Sequence, residues 1–348
     1  MLTPTSQLRF CALATTGKIA VPSYLAGLNN LRAIAALLIC FRHFSTLLPE
    51  REKVDFLREI ASYGPTGAYL FFVVSGYIVP YSLVRQDYHL QQFGNYLWRR
   101  FVRIGPAFYA ATLLTLTQWV IIAKFVQRGP TFLQGVSWVR LAHNALFTIP
   151  FTHYEWVIGT AWALGIEWQF YLLIGLLFPL LFLRERAGWY FLLFYGLAGA
   201  LGLRFDTGLN FLTFSSLFAL GGGTLLWQRE RLPLPAYLAS LLVFAGLVTY
   251  QINPLAAVVG LLTVPAILFV TRPISVLSSI GKIAYSLALT HMLVGRTTEY
   301  ILYRLLVPTS DAGRLLVLGC CLGAALGVAA LFYRLVEQPF IRLATRRR

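Results

Sequence analysis

Apolar runs of about twenty residues, separated by short polar links, recur along the whole chain. About 20 apolar residues span a hydrocarbon core. The runs therefore predict about ten transmembrane helices, near 25–47, 60–84, 104–123, 157–183, 187–203, 209–227, 234–250, 254–271, 283–305 and 314–335. The one long connection is 124–156, and its middle, LAHNALFTIPF (141–151), is apolar but too short to cross. It is expected to lie at, or dip into, the outer surface. The sequence contains no hydrophilic region large enough for a soluble domain, no solenoid-period repeat and no low-complexity tract. Function is therefore expected inside the membrane bundle.

The polar links set the orientation. Arg85, Arg99, Arg100 and Arg103 flank the second and third runs, and Arg342 with Arg346, Arg347 and Arg348 closes the sequence. With both ends inside, the cytoplasmic segments carry more Lys and Arg than the external ones, as the positive-inside rule requires. The predicted fold class is all-α, a polytopic membrane protein, N-in and C-in. It comprises a short cytoplasmic tail at 1–24, a transmembrane domain at 25–342 and a basic cytoplasmic tail at 343–348. Composition agrees: 58% of residues are hydrophobic and 12% charged, whereas soluble domains are near a quarter charged.

A net charge of +16 raises the question of nucleic acid, but the basic residues sit singly or in small groups between apolar runs. There they serve topology and anionic headgroups, and nucleic acid is excluded as a partner in favour of membrane lipids. Cys11, Cys40, Cys320 and Cys321 form no CxxC pair or metal spacing and are read as small core residues. No metal site is evident. The first twenty residues hold Arg9 and Lys18 but no continuous apolar region ending in a cleavage site, so no cleaved signal peptide is expected.

The chemistry is carried by polar groups that the membrane penalises. Arg32 and His43 lie in the run LRAIAALLICFRH (31–43), where the arginine alone is unfavourable by roughly 2.5–3.5 kcal/mol. Eleven positions make about three helical turns, so both side chains share a face, roughly 16 Å apart along the axis. Ser75, Glu167 and His291 are the other intramembrane candidates. Topology puts His43 and Glu167 in the outer half, His291 near mid-depth and Arg32 in the inner half, so His43, Glu167 and His291 are free to meet around one cavity.

Each candidate also has a plainer explanation. His43 beside Arg42 can snorkel to the interface. Glu167 can be a structural ion-pair member, His291 an interhelical hydrogen bonder, and Ser75 with Gly76 a close-packing pair. No G-x-S-x-G elbow supports Ser75 as a nucleophile. Arg99, Arg100 and Arg103 in WRRFVRIGPAFY (98–109), with Glu337 in VEQPF (336–340), sit at the cytoplasmic edge. Guanidinium forks suit phosphate, and an orientation signal touching lipid headgroups is the alternative.

On these residues the chain resembles acyltransferase family 3, the bacterial integral-membrane O-acyltransferases that modify surface polysaccharides, lipopolysaccharide, exported glycans and some small molecules. The R-x(10)-H pair Arg32/His43 is the strongest element. FFVVSGY (71–77) looks like the second-helix motif, RRFVRIGPAFY (99–109) the basic motif, AWALGIEWQFY (161–171) the Trp-Leu-Glu-Phe-Tyr motif and VEQPF the terminal Glu-x-Pro. Departures are Asn29-Asn30 for the usual Asp-Gly, Ala163 for serine, Ala284-Tyr285 for Ser-Tyr, and Ala288 for an aromatic. Larger members append an extracytoplasmic hydrolase-like domain with no counterpart in this sequence.

The resemblance implies transfer of an acyl group from cytoplasmic acyl-CoA, acetyl-CoA being the expected donor, to a hydroxyl of a carbohydrate or glycolipid acceptor. The setting is the bacterial inner membrane, with a separate glycan-assembly or periplasmic transfer partner as an option. Arg32, Arg99, Arg100 and Arg103 would hold the donor phosphates. His43 would be the base, or alternatively become acylated itself, with Glu167 and His291 completing the catalytic set. Ser75, Trp162, Tyr171 and Tyr285 would line the substrate. A transporter or flippase for an anionic lipid or metabolite uses buried charge equally well, but no inverted repeat supports it. A membrane scaffold would leave Arg32 and His43 without a purpose.

Overall fold

A computed structural model of the chain describes residues 27–45, 59, 62–125, 132–204, 208–306 and 310–346. The predicted tail at 1–24 and Cys11 lie outside them. Every element among the described residues is helical: α1 (Leu28–Ser45), α2 (Thr66–Arg85), α3 (Phe93–Phe125), α4 (Trp138–Ala145), α5 (Trp162–Phe178), α6 (Ala187–Arg204), α7 (Phe211–Gln228), α8 (Leu234–Gln251), α9 (Pro254–Phe269), α10 (Ser275–Lys282), α11 (Ala284–Leu306), α12 (Asp311–Phe332) and α13 (Gln338–Arg346). Single π turns extend α5 over Pro179–Leu183 and α12 over Tyr333–Glu337.

Among these residues five helices are long and apolar enough to cross a membrane, or six if α10 and α11, bent by 74° where they meet, form one broken span. Hydropathy predicts more. The difference lies in elements such as α9, apolar but only 16 residues long, and α1, whose Asn29, Asn30, Arg32, Arg42 and His43 dilute its apolar character. Residues 343–346, predicted as part of the basic tail, continue α13.

The core forms where α2 meets α7. A Cβ on Gly76 would fall 2.1 Å from the Phe218 carbonyl oxygen, and one on Gly221 would fall 2.0 Å from that of Val73. Only glycine permits this backbone contact, the small-residue packing that joins helices in lipid. Around it the aromatic rings interlock, Phe170 over Phe218 at 4.3 Å and Phe72 against Phe218 at 5.0 Å. A second apolar cluster joins α1, α11 and α12 through Ala36, Cys40, Phe44, Leu287, Val317 and Cys321. Cys40 and Cys321 are thus core residues as predicted, whereas Cys320 is exposed.

Two polar staples position the site. Asn30, 1% exposed, donates Nδ2 to the Arg272 carbonyl (2.9 Å) and accepts from the Ile274 amide (3.2 Å), fixing the start of α1 to the link before α10. In the long connection, buried Arg140 donates to the carbonyls of Glu155, Gly135 and Trp156 at 2.9–3.3 Å, which satisfies a guanidinium that burial would otherwise leave unpaired. The segment dips into the bundle: Phe147, Ile149 and Val157 are buried, and the Thr160 hydroxyl lies 3.3 Å from the Ala288 carbonyl of α11. Helix α5 therefore starts beside the first turns of α11 and not level with its far end.

Candidate functional site

Arg32 and His43 belong to one unbroken helix, so the offset of roughly 16 Å follows from helical rise. At the C-terminal end of α1 the His43 Nδ1 lies 3.0 Å from the Nε2 of His291. His291 is fully buried, and its Nδ1 lies 2.9 Å from the Leu287 carbonyl one turn back on α11. A carbonyl only accepts, so the network assigns the proton to His291 Nδ1 and makes its Nε2 an acceptor. His43 must then donate from Nδ1, which leaves the lone pair on His43 Nε2. The α1–α11 contact that brings the rings together is tight, since a Cβ on Gly295 would fall 1.9 Å from the Phe44 ring.

The N-terminal end of α1 faces the guanidinium groups. Helix α3 begins at Phe93, eleven residues before the predicted 104. Arg99, Arg100 and Arg103 therefore project from one helix, within about 100° of each other around its axis, instead of flanking it as a loop. The Arg100 guanidinium carbon stands 4.9 Å from the Tyr171 ring centroid and 5.4 Å from that of Tyr96, and its Nη2 donates to Ser82 Oγ at 3.1 Å. Arg99 reaches Gln86 Oε1 at 3.4 Å. Arg32 has Glu167, Glu337, Tyr171 and Arg103 as its charged or titratable neighbours. Among the described residues neither Arg32 nor exposed Arg103 makes a direct hydrogen bond or ion pair, so both forks remain open to an anion.

Glu167 lies with the arginines and not with the histidines. Its Oε1 accepts from Ser75 Oγ (3.3 Å) and from the Tyr171 hydroxyl, and Arg32 and Arg100 supply the compensating charge. The reason is where α5 begins: Thr160, just before it, lies beside Ala288 of α11, so a carboxylate five residues into α5 reaches the level of Arg32. Glu337 joins the group because the π turn at Tyr333–Glu337 re-aims it, and its Oε2 accepts from Ser286 Oγ at 2.6 Å. Such turns are frequent at functional sites.

Of the predicted substrate residues, Ser75 is committed to Glu167, and Tyr285 donates to the Ile104 carbonyl at 2.7 Å. Trp162 packs against Phe214 and Phe72 at 5.5 and 6.0 Å. The sequence reading missed Ser286, Phe44 and Gly295. Ser286 had a visible signal, a serine beside the tyrosine that opens α11; a glycine four residues after His291 was the trace of the tight crossing. No group of three or more His, Cys, Asp or Glu among the described residues is placed to hold a metal.

Fold and site together define a polytopic helical domain with an imidazole pair at one end of a helix and uncommitted guanidinium forks at the other. The chain belongs to acyltransferase family 3, whose family model, an acyltransferase domain, matches residues 25–334. It is similar to the O-acetyltransferase OatA of Staphylococcus aureus strains NCTC 8325 / PS 47, COL and MRSA252, with 28% identity over 177 residues in each case. That match covers 49% of this chain and 27% of each relative, so the chain spans about a quarter of the length of these curated relatives. No solved structure matches it.

Proposed function

We propose that this chain is an O-acyltransferase of the bacterial inner membrane. It moves an acyl group, acetyl as the first choice, from cytoplasmic acyl-coenzyme A to a hydroxyl of a carbohydrate-containing acceptor. The observation that carries the reading is the two-ended helix α1, with the open Arg32 fork beside Arg103 at one end and the His43–His291 pair at the other. Phosphates of the donor bind Arg32, Arg100 and Arg103 through charge-assisted, bidentate hydrogen bonds. The pantetheine arm runs along α1 and brings the thioester carbonyl to His43.

His43 Nε2 takes the proton of the acceptor hydroxyl as its oxygen attacks the thioester carbon. The tetrahedral intermediate collapses with cleavage of the C–S bond, and the thiolate leaves with the proton held on His43. His291 accepts from His43 Nδ1 throughout and so keeps the catalytic lone pair on Nε2, the orienting task a carboxylate performs in hydrolase triads. Glu167, bonded to Ser75 and Tyr171, stabilises the arginine end. An O-acetyl product fits the activity for which the similar O-acetyltransferase OatA is named.

The test is a reconstituted transfer assay with acetyl-labelled acetyl-coenzyme A. Labelled ester on glycan, lost with His43→Ala, is expected; transport of unmodified cargo without label transfer would overturn the reading. Comparing ester-linked acyl groups on surface glycans of a deletion strain and its parent by mass spectrometry identifies the acceptor.

A further inference from the structure

Helix α2 carries a second polar connection at the same end of the bundle as the arginines. Ser82 meets Arg100, while Tyr77, five residues earlier, donates its hydroxyl to Gln228 Oε1 at 2.6 Å, the last residue of α7. Tyr81 stacks on Tyr77 at 6.1 Å. Five residues of helix rise about 7.5 Å, so the end of α7 stands within a short reach of the α3 arginines. The next residues are Arg229, Glu230 and Arg231.

This turn has three features of an anion site. Arg229 Nη1 is buried without a hydrogen-bond partner, although a guanidinium that merely capped α7 would donate to its last carbonyls. Burial and the like charge of Arg231 both push the Arg229 guanidinium below its usual pKa, which an incoming anion would reverse. Glu230 between them adopts a left-handed backbone, φ 60°, which costs a non-glycine residue on the order of 1 kcal/mol and recurs where binding requires it. The Arg231 amide bonds the Leu226 carbonyl at 2.9 Å, so the turn is held in place.

We infer that Arg229 and Arg231 form a second phosphate site, separate from Arg32, Arg100 and Arg103, which takes the 3′-phosphate of the donor nucleotide while the α3 arginines take its 5′-diphosphate. The inference rests on the acyl-coenzyme A reading above. Both phosphate groups hang from one ribose, so two cationic clusters joined by the last turns of α2 match the ligand's layout. A lipid headgroup phosphate offers the same chemistry from a different source.

The experiment compares binding of acetyl-coenzyme A and its 3′-dephospho analogue to the intact protein in nanodiscs. Wild type should prefer the 3′-phosphorylated form by about tenfold, the order expected for losing charge-assisted hydrogen bonds. Arg229→Met with Arg231→Met should bring the two affinities within about twofold, and Arg229→Lys should retain part of the preference. No preference in wild type, or an equal preference in the folded double variant, overturns the inference. Equal preference together with loss of bound phosphatidylglycerol from the variant by native mass spectrometry assigns the pair to lipid instead. If wild type binds neither thioester, the donor reading falls and takes this inference with it; binding of both without discrimination removes the inference alone.

Discussion

His291 Nε2 and His43 Nδ1 stand 3.0 Å apart, and the far nitrogen of His291 lies 2.9 Å from a carbonyl of its own helix. The carbonyl of Leu287 thereby decides, through two rings, which nitrogen of His43 carries the proton. A backbone acceptor cannot change its role, so the arrangement resists tautomer exchange better than one ending on a hydroxyl or water.

His43→Ala is expected to lower kcat by about a hundredfold or more, the range for a lost proton-transfer group. His291→Leu should lower kcat roughly 10- to 100-fold through the unsupported ring, with donor KM unchanged. His291→Gln should recover part of that loss, because its amide can accept from His43 and donate to Leu287. Steady-state kinetics on the three purified variants checks this. Equal activity of the Leu and Gln variants would mean that His291 acts only by filling space.

Arg32→Lys and Arg103→Lys are each expected to raise donor KM by about tenfold with kcat near wild type. Both keep the charge and lose the planar fork. Donor titrations at two salt concentrations check the assignment, since a phosphate contact should also weaken with ionic strength. Unchanged KM in both variants would remove these forks from donor binding.

Helix positions and the Arg32/His43 register were legible because they depend on local periodicity alone. The partner of each polar group was not. Glu167 was expected near His43 from its count along α5, a count that assumes every helix starts at the same level; Thr160 beside the Ala288 carbonyl, early in α11, places the start of α5 elsewhere. Arg99, Arg100 and Arg103 read as a loop because their charge masks a helix that begins at Phe93. The π turn that aims Glu337 at Ser286 has no period of its own to detect. Local pattern thus reached the elements, and long-range packing decided the pairs.

Glu167→Gln separates two roles for that carboxylate. As the arginine-end partner seen here, it opposes an anionic donor, so neutralising it should lower donor KM by about threefold while costing roughly 1–3 kcal/mol of stability from the uncompensated guanidinium groups. Thermal unfolding and donor titration measure the two effects. A hundredfold fall in kcat at saturating donor would instead indicate that Glu167 orients His43 in a state not represented by this arrangement.

Gly295 tests whether the α1–α11 crossing itself sets catalysis. An alanine there places a methyl 1.9 Å from the Phe44 ring, and the clash must push Phe44, and with it neighbouring His43, away from His291. Overpacking of this kind costs about 1–3 kcal/mol, and a displacement near 1 Å at a reacting group is enough for a loss of about a hundredfold. Gly295→Ala is therefore expected to reduce kcat strongly with donor KM preserved, because the arginine end lies about three turns away along α1. Phe44→Leu, which shortens the obstructing side chain, should restore part of the activity in the double variant while lowering activity when introduced alone. Kinetics on the two single variants and the pair measure that coupling; strictly additive losses would show that the crossing does not position His43.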